Sequence, residues 1–444
     1  MGHSCDLLII GSGFAGSVAA ARAAHWGLSA IRTGSPSQMY FASGAMDVLG
    51  ALPGRDAHVT APAEIWNQLK EELPSHPYAK ASWEQMEAAM DFVCEFLSQG
   101  GLAYQGRTGE NTLIPTSLGT FKPSYRLPST MAGAGELMSP SSQGRLLLVD
   151  FDGLRGFSAG QMAAGLTSLF PERFSLAGKG KKKGWEIFTR RIRIPQAKGA
   201  LDPVHLANKF EDGEFIKFIQ SSLQETGADL VGFPPVCGMG RSKEIFASLE
   251  KRLGTRVFEI PMMPPAVPGM RMKNAFETAL AKTSARYLGP VKVRLPQTGD
   301  FHTDEGFTME AHAPSGVETI TSRGLILASG RFPGGGLSGD RTGVKESVLD
   351  LPVSQPPGRE DWHGAHFFHP QGHGINRAGI ETDHRFSPVD SNGSPLYPNL
   401  YAVGSILAHN DWPRLKSGSG VSCLSAVTAV DDFYHSLTKG GESA

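Results

Sequence analysis

The sequence predicts an α/β fold whose main domain is built from discontinuous segments around an inserted region. Three observations predict it. A short apolar strand at residues 5–10 runs straight into Gly11-Ser12-Gly13-Phe14-Ala15-Gly16 and an alanine-rich helix. Far downstream, two more apolar strands meet glycine in the same way, at Ala328-Ser329-Gly330 and at Tyr401-Ala402-Val403-Gly404. Between them lies a separate run of strand and helix patterns starting near Leu146. Strand, glycine turn, helix and strand at the very start is the context that gives G-x-G-x-x-G its meaning, so the main domain is Rossmann-like.

Each element follows from local pattern. Gly27 stops the first helix, and Leu28–Ile31 reads as the second strand. Residues 82–97 read as an amphipathic helix: Ser82 and Gln85 make a capping box, Met86, Ala89, Met90, Val93 and Leu97 share a face, and Gly100-Gly101 ends it. Residues 105–145 lack periodicity and read as loops and short strands. The second region has a strand at 146–150, a helix near 158–170, a basic tip at 178–184 and a strand at 185–194. It continues with helices at 203–225 and 242–253 around a strand at 228–233. Pro261–Pro268 holds four prolines in eight residues and must be extended or turning. A helix at 272–287 follows, then strands at 291–295, 306–311, 316–321 and 322–328. The last elements are the strand at 399–405 and a small-residue helix at 421–437. Residues 1–105 and 320–444 are expected to form the main domain. Residues 106–319 are expected to form the inserted α/β cap or substrate region, part of which returns to the main domain.

Composition excludes several functions. The 444 residues carry 42 Lys+Arg against 43 Asp+Glu, so no broad charge favours nucleic acid or an anionic membrane. Four scattered cysteines, Cys5, Cys94, Cys237 and Cys423, do not provide the closely spaced run of an iron–sulfur ligand set. No basic leader precedes Leu7–Ile10, and no apolar stretch approaches the ~18–20 residues of a membrane span. A cytoplasmic protein is expected, with any membrane contact made through partners. Glycine is the surplus residue, 54 in all, or about 12% against a usual ~7%.

The glycines suggest a nucleotide or flavin site. Gly11 permits the turn, Gly13 lets a phosphate approach the backbone, and Gly16 lets helix and strand pack closely. The acidic residue expected after the second strand, for a ribose hydroxyl, is absent; Arg32 stands there, facing a 2′-phosphate or solvent. Ser329, Gly330, Gly404 and Ser405 extend the site, the second pair in the manner of a motif that lies along a flavin's ribityl chain. Gly418 and Gly420 open a helix whose positive end suits the ring's electron-rich edge. Ser43 and Gly44, in the small-residue strip Phe41–Ala45, suit close approach to the flavin.

With these residues in place, the chain resembles the B-subunit family of the anaerobic glycerol-3-phosphate dehydrogenases along nearly its whole length. The resemblance rests on Phe41–Leu49, His76-Pro77-Tyr78, Leu118-Gly119-Thr120, Pro264–Arg271, Ala328–Leu337, Gly379–Asp383 and Asn399–Ser405. It implies a flavoprotein of a three-subunit complex, together with an FAD-containing catalytic subunit and an iron–sulfur subunit that delivers electrons towards quinone. It implies FMN as cofactor, with FAD the alternative. The tip at 178–184, the histidine-rich stretch 362–373 and Trp412–Ser417 depart from the family pattern.

Oxidising a secondary alcohol at a flavin needs a base for the hydroxyl proton, and histidine suits the task. His369 is the first candidate and His409 the competitor. His363, His366, His369 and His373 are interrupted by glycine and proline, so a metal site is not expected. A phosphorylated substrate needs cations; Arg271 is the leading candidate, with Arg331 and Arg414 behind it. Two other roles stay open: a flavin relay or assembly subunit without a substrate pocket, and a flavin oxidoreductase for another small hydroxy or keto compound.

Overall fold

In the computed structural model, which describes residues 2–35, 37–55, 57–178, 184–195, 197, 199–224, 226–367, 369 and 371–440, the chain opens with β1 (Gly2–Ile10), α1 (Phe14–His25) and β2 (Ala30–Thr33). After a short helix at Trp66–Glu72 comes α2 (Trp83–Gln99), where the predicted capping box forms and every predicted core-face residue is buried. The middle of the chain supplies β3 (Gly144–Phe151), α3 (Ala159–Leu169), β4 (Phe174–Leu176), β5 (Trp185–Ile192), β6 (Leu230–Phe233), α4 (Ser242–Leu253) and β7 (Arg256–Glu259). The chain then adds β8 (Ala285–Gly289), β9 (Lys292–Arg294), β10 (Gly306–Ala313), β11 (Gly316–Leu327), β12 (Leu400–Ala402) and α5 (Gly418–Gly440).

These elements divide between two units. The first comprises Met1–Met39, Asp47–Gly101 and Lys273–Ala444; the second comprises Tyr40–Met46 and Leu102–Met272. Residues 273–319 thus lie with the first unit, because β8 pairs with β2 and β10 pairs with β11. In the first unit, β8, β2, β1, β11 and β12 lie side by side in that order, all parallel. Leu7 to Ile10 are buried without alternation, as a strand covered on both faces requires. The first half of β11 pairs antiparallel with β10, and its second half pairs parallel with β12. The segments expected as separate strands at 316–321 and 322–328 are therefore one strand. Gly324 does not break it; a Cβ there would lie 2.5 Å from the ring of Phe433, so glycine admits α5 against the sheet.

The second unit is an all-parallel sheet ordered β7-β6-β3-β5-β4. Its core is continuous through Leu146–Val149 on β3, Leu230 and Phe233 on β6, and Leu249 on α4. The helix expected over 203–225 is two helices, Pro203–Lys209 and Gly213–Ser222, because Asp212 caps the second. The helix expected at 272–287 instead spans Val267–Leu280, and 285–289 is strand β8. Pro268 sits in its first turn, where a missing N–H costs nothing. Most of the basic tip, residues 179–183, lies outside the described residues. Among the described residues no helix is long and apolar enough to cross a membrane.

Candidate functional site

The three fingerprint glycines have different steric reasons. Gly11 has φ +127°, and a Cβ on it would lie 2.1 Å from the Ala328 carbonyl oxygen. A Cβ on Gly16 would lie 1.9 Å from the Gly11 carbonyl oxygen. Gly13 differs: a Cβ there meets nothing within 4 Å. It precedes α1, whose N-terminus has no side-chain cap and no acidic residue in its first turn. Backbone N–H groups at such an end are ready for an anion. Ser12 locks the turn, its Oγ–H shared between the carbonyls of Thr33 and Gly34 at 2.8 and 2.7 Å.

The downstream glycines converge on the same end of the sheet. The Ala328 N–H donates to the Ile10 carbonyl, so Ser329 and Gly330 leave β11 beside the Gly11 turn. Gly330 has φ +73°, and a Cβ on it would be 3.7 Å from Ser405 Oγ. Gly404 has φ +78° and donates its N–H to Ser425 Oγ at 3.0 Å. A Cβ on Gly404 would lie 2.6 Å from the Ala15 Cβ and 3.5 Å from Ser422 Oγ. Gly404 is therefore wedged between the first turn of α1 and the N-terminal part of α5. At the other ends of these helices, Arg22 pairs with Asp431 at 2.6 Å and Trp26 stacks on Tyr434. The two helices thus run side by side in one direction, with both positive ends at the C-terminal edge of the parallel strands, where α/β sheets bind ligands. Ser329 Oγ and Thr33 Oγ1 are buried there without a hydrogen-bond partner. Gly11, Gly13, Gly16, Ser329, Gly330, Gly404 and Ser405 are thus brought together, and the donor set fits the phosphate-bearing chain of a flavin nucleotide.

Other predicted residues have different duties. Arg32 meets neither solvent nor an open anion site. Its side chain is 3% exposed; Nη1 donates to Ser17 Oγ at 2.6 Å and Nη2 to Glu277 Oε1 at 2.7 Å. Gly420 is small because Tyr78 is near: a Cβ there would lie 2.2 Å from Tyr78 Oη. Gly418 opens α5 in ordinary contact with Trp412. Ser43 and Gly44 belong to the second unit. There Gly44, at φ +83°, lies against Pro268 and accepts a hydrogen bond from Tyr104 Oη at 2.8 Å.

The expectation that Arg271 meets a substrate phosphate is corrected. Within the second unit, its Nη1 and Nη2 grip Glu259 at 2.6 and 2.9 Å, and Nε donates to the Gly238 carbonyl at 2.7 Å. The pair is 4% and 0% exposed. Glu259 also accepts from Thr130 Oγ1 and the Cys237 N–H. Every guanidinium nitrogen is engaged in the interior, so the residue ties the second unit together. Arg331 is likewise held, by the carbonyls of Ile375 and Asn376 at 2.6 and 2.7 Å. Burial lowers its pKa to about 10, which still leaves it charged at neutral pH.

The histidine candidates both lie in the first unit. His369 Nδ1 accepts the Gln371 N–H at 3.2 Å, a contact internal to its loop. His373 organises the same loop, accepting the Gly364 N–H at Nδ1 and placing Nε2 2.9 Å from the Phe367 carbonyl. His409, at φ +63°, puts Nε2 2.6 Å from Glu381 Oε2. That bond holds the Glu381 carboxyl below its usual range. Lys80 stands beside Glu381; its amine donates to Thr382, and burial lowers its pKa. Any proton that His409 exchanges with a ligand passes through Nδ1, since Nε2 is engaged.

Sequence reasoning missed a buried polar group at the mouth of α5. His76, Asn410 and Ser417 are hydrogen-bonded in a chain, with Asp411 and Asn376 adjoining. In the sequence, His76-Pro77-Tyr78 is noticeable only as a pattern; its partners Asn410 and Ser417 lie more than 330 residues away.

Residues 6–421 match the family model of an FAD binding domain. A relative in Halobacterium salinarum strain R1, named as the probable B subunit of an anaerobic glycerol-3-phosphate dehydrogenase, is 30% identical over 461 aligned positions, covering 98% of this chain and 100% of the relative. The corresponding B-subunit protein of Yersinia enterocolitica is 26% identical, covering 97% and 98%. Among solved structures, a 3-ketosteroid Δ1-dehydrogenase from Sterolibacterium denitrificans has 12% identity and a TM-score of 0.45, covering 98% of this chain and 100% of that one.

Proposed function

The chain belongs to the B-subunit family of the anaerobic glycerol-3-phosphate dehydrogenases and carries an FAD binding domain, and from that premise we propose that it is a flavin-holding subunit of a multi-subunit complex that oxidises glycerol 3-phosphate to dihydroxyacetone phosphate. The observation that carries the reading is the open face of Gly13 at the uncapped start of α1, joined through Gly404 to the start of α5. The α1 N–H groups hold the cofactor's phosphate. Ser329, Gly330, Gly404 and Ser405 would hold the rest of the cofactor, and the positive N-terminal end of α5 would favour negative charge beside it. A bound flavin would supply a two-electron acceptor that can pass electrons on singly. His409, steadied by Glu381, is the proposed acceptor of the hydroxyl proton, through Nδ1; His369 is the second candidate. The electrons leave through an iron–sulfur partner towards quinone, beside an FAD-containing partner, with the membrane reached from the cytoplasm through those chains.

The match to an FAD binding domain supports FAD as the cofactor, whereas FMN, implied by the sequence resemblance, gains no support from it. Mass spectrometry of the flavin released from the co-purified complex decides between them and identifies the partners in the same sample. Bleaching of that flavin by glycerol 3-phosphate is the expected result. A complex that oxidises glycerol 3-phosphate at an undiminished rate after this chain's flavin is stripped would overturn the redox role.

A second reading, a flavin relay without its own substrate pocket, is favoured by one specific observation. Arg271 and Arg331 are both committed to protein acceptors. Under that reading, His409→Asn leaves turnover nearly unchanged, while loss of flavin binding stops electron flow.

A further inference from the structure

We propose that the Asn410 carboxamide is a ligand-binding donor: its amide N–H groups meet a carbonyl-type acceptor in the flavin site at the start of α5. The proposal rests on the flavin reading and names a residue that reading lacks. The argument begins with His76, which is 1% exposed. Its Nδ1 lies 3.1 Å from the backbone nitrogen of Tyr78, a group that can only donate. Nδ1 is therefore unprotonated, and the neutral ring carries its proton on Nε2. Nε2 lies 3.3 Å from Asn410 Oδ1 and donates to it. Ser417 Oγ donates to the same oxygen at 2.8 Å.

The His76 Nε2–H fixes the orientation of the amide, and the Ser417 hydroxyl, which can donate or accept, follows it. A flipped Asn410 would set N–H against N–H at His76, so oxygen must face His76 and nitrogen must face away. Asn410 is itself 1% exposed, yet its Nδ2 has no hydrogen-bond partner. A buried donor left in that condition loses its hydration without compensation, and such groups are rare in folded proteins. The location says what the donor awaits. Ser417 is the residue before α5, and Ser422, one turn into α5, adjoins Gly404, which also lies against Ala15 at the start of α1. An acceptor oxygen or nitrogen of the flavin ring edge would complete the amide, as would the carbonyl oxygen of a bound keto compound. His76 and Ser417 are positioning residues that act through Asn410.

The test uses the full chain with its flavin. Asn410→Asp preserves the shape and the acceptor for His76 and Ser417 while removing the donor. Flavin affinity is read by fluorescence titration of stripped protein, the midpoint potential by spectroelectrochemistry, and binding of dihydroxyacetone phosphate by the change it makes in the flavin spectrum. If the acceptor is on the flavin, the variant binds flavin at least tenfold more weakly or its bound flavin has a more negative potential. If the acceptor is on the ligand, both stay at wild-type values and dihydroxyacetone phosphate binds at least tenfold more weakly. Either result supports the proposal. A variant equal to wild type in all three overturns it and leaves the flavin reading intact; a wild-type chain that binds no flavin overturns both. Should Asn410→Asp fail to fold, Asn410→Ala removes the amide without adding a charge and carries the same expectations.

Discussion

Gly16 lies against Gly11 so closely that a Cβ on Gly16 would stand 1.9 Å from the Gly11 carbonyl oxygen, while a Cβ on nearby Gly13 meets nothing. Gly16→Ala must therefore push α1 away from the turn, whereas Gly13→Ala only fills open space. Gly13 has φ −70°, which alanine adopts freely. The expected outcome is that Gly13→Ala keeps the apo stability within ~1 kcal/mol yet binds flavin much more weakly. Gly16→Ala should lose flavin binding together with several degrees of melting temperature. Melting curves with and without added flavin check both. Equal effects of the two substitutions would remove the steric distinction.

The buried Arg271–Glu259 pair makes a second prediction. Removing one member strands the other charge in the interior, which costs about 3–5 kcal/mol. Arg271→Ala should lower the denaturation midpoint of the chain by a corresponding amount. If it instead leaves stability intact and raises KM for glycerol 3-phosphate, Arg271 reaches substrate after all.

Arg32 yields a milder version of the same test. Its partner Glu277 is 34% exposed and can be rehydrated when the pair is broken. Arg32→Met should accordingly cost only about 1–3 kcal/mol. Because the guanidinium is engaged by Ser17 and Glu277, the substitution should not change which flavin the chain retains. A switch in the mass of the released cofactor would contradict that.

Acid should destabilise the chain through His76. Burial depresses its pKa to about 3 from an ordinary 6.5, with His409 and Lys80 adding repulsion and the Asn410 hydrogen bond opposing. The unfolded chain takes up this proton below pH 6.5 and the folded chain does not. Its stability contribution is therefore complete above pH 6.5 and is lost progressively as pH falls towards 3. At pH 5 the loss is about 2 kcal/mol. Denaturant titrations at pH 7 and pH 5 should show a difference that shrinks by this amount in His76→Gln. An unchanged pH slope in that variant would place the acid sensitivity elsewhere.

Local pattern is sufficient for the elements whose causes are local. The capping box of Ser82 and Gln85, the glycine turn at Gly11 and the buried face of α2 follow from spacing alone, and each forms as the sequence implies. Helix Val267–Leu280 starts earlier than its pattern suggests because Pro268 reads as a breaker until one knows that it occupies a first turn. The continuous β11 reads as two strands because its two halves change neighbours, and pairing partners are not written in a single strand's residues.

By itself the sequence marked the glycine-ended strands of an FAD binding domain and the glycines expected at its site. Only the tertiary structure decided which of those glycines face open space and which make room for a neighbour. Gly13 opens onto empty space, while Gly420 gives way to Tyr78 and Gly44 to Pro268. The same holds for charge and polarity. Arg32 and Arg271 are consumed by Glu277 and Glu259, and Asn410 is oriented by His76 from 334 residues away. A side chain's chemistry is local, but whether its hydrogen-bonding capacity is spent or spare depends on residues that folding brings beside it.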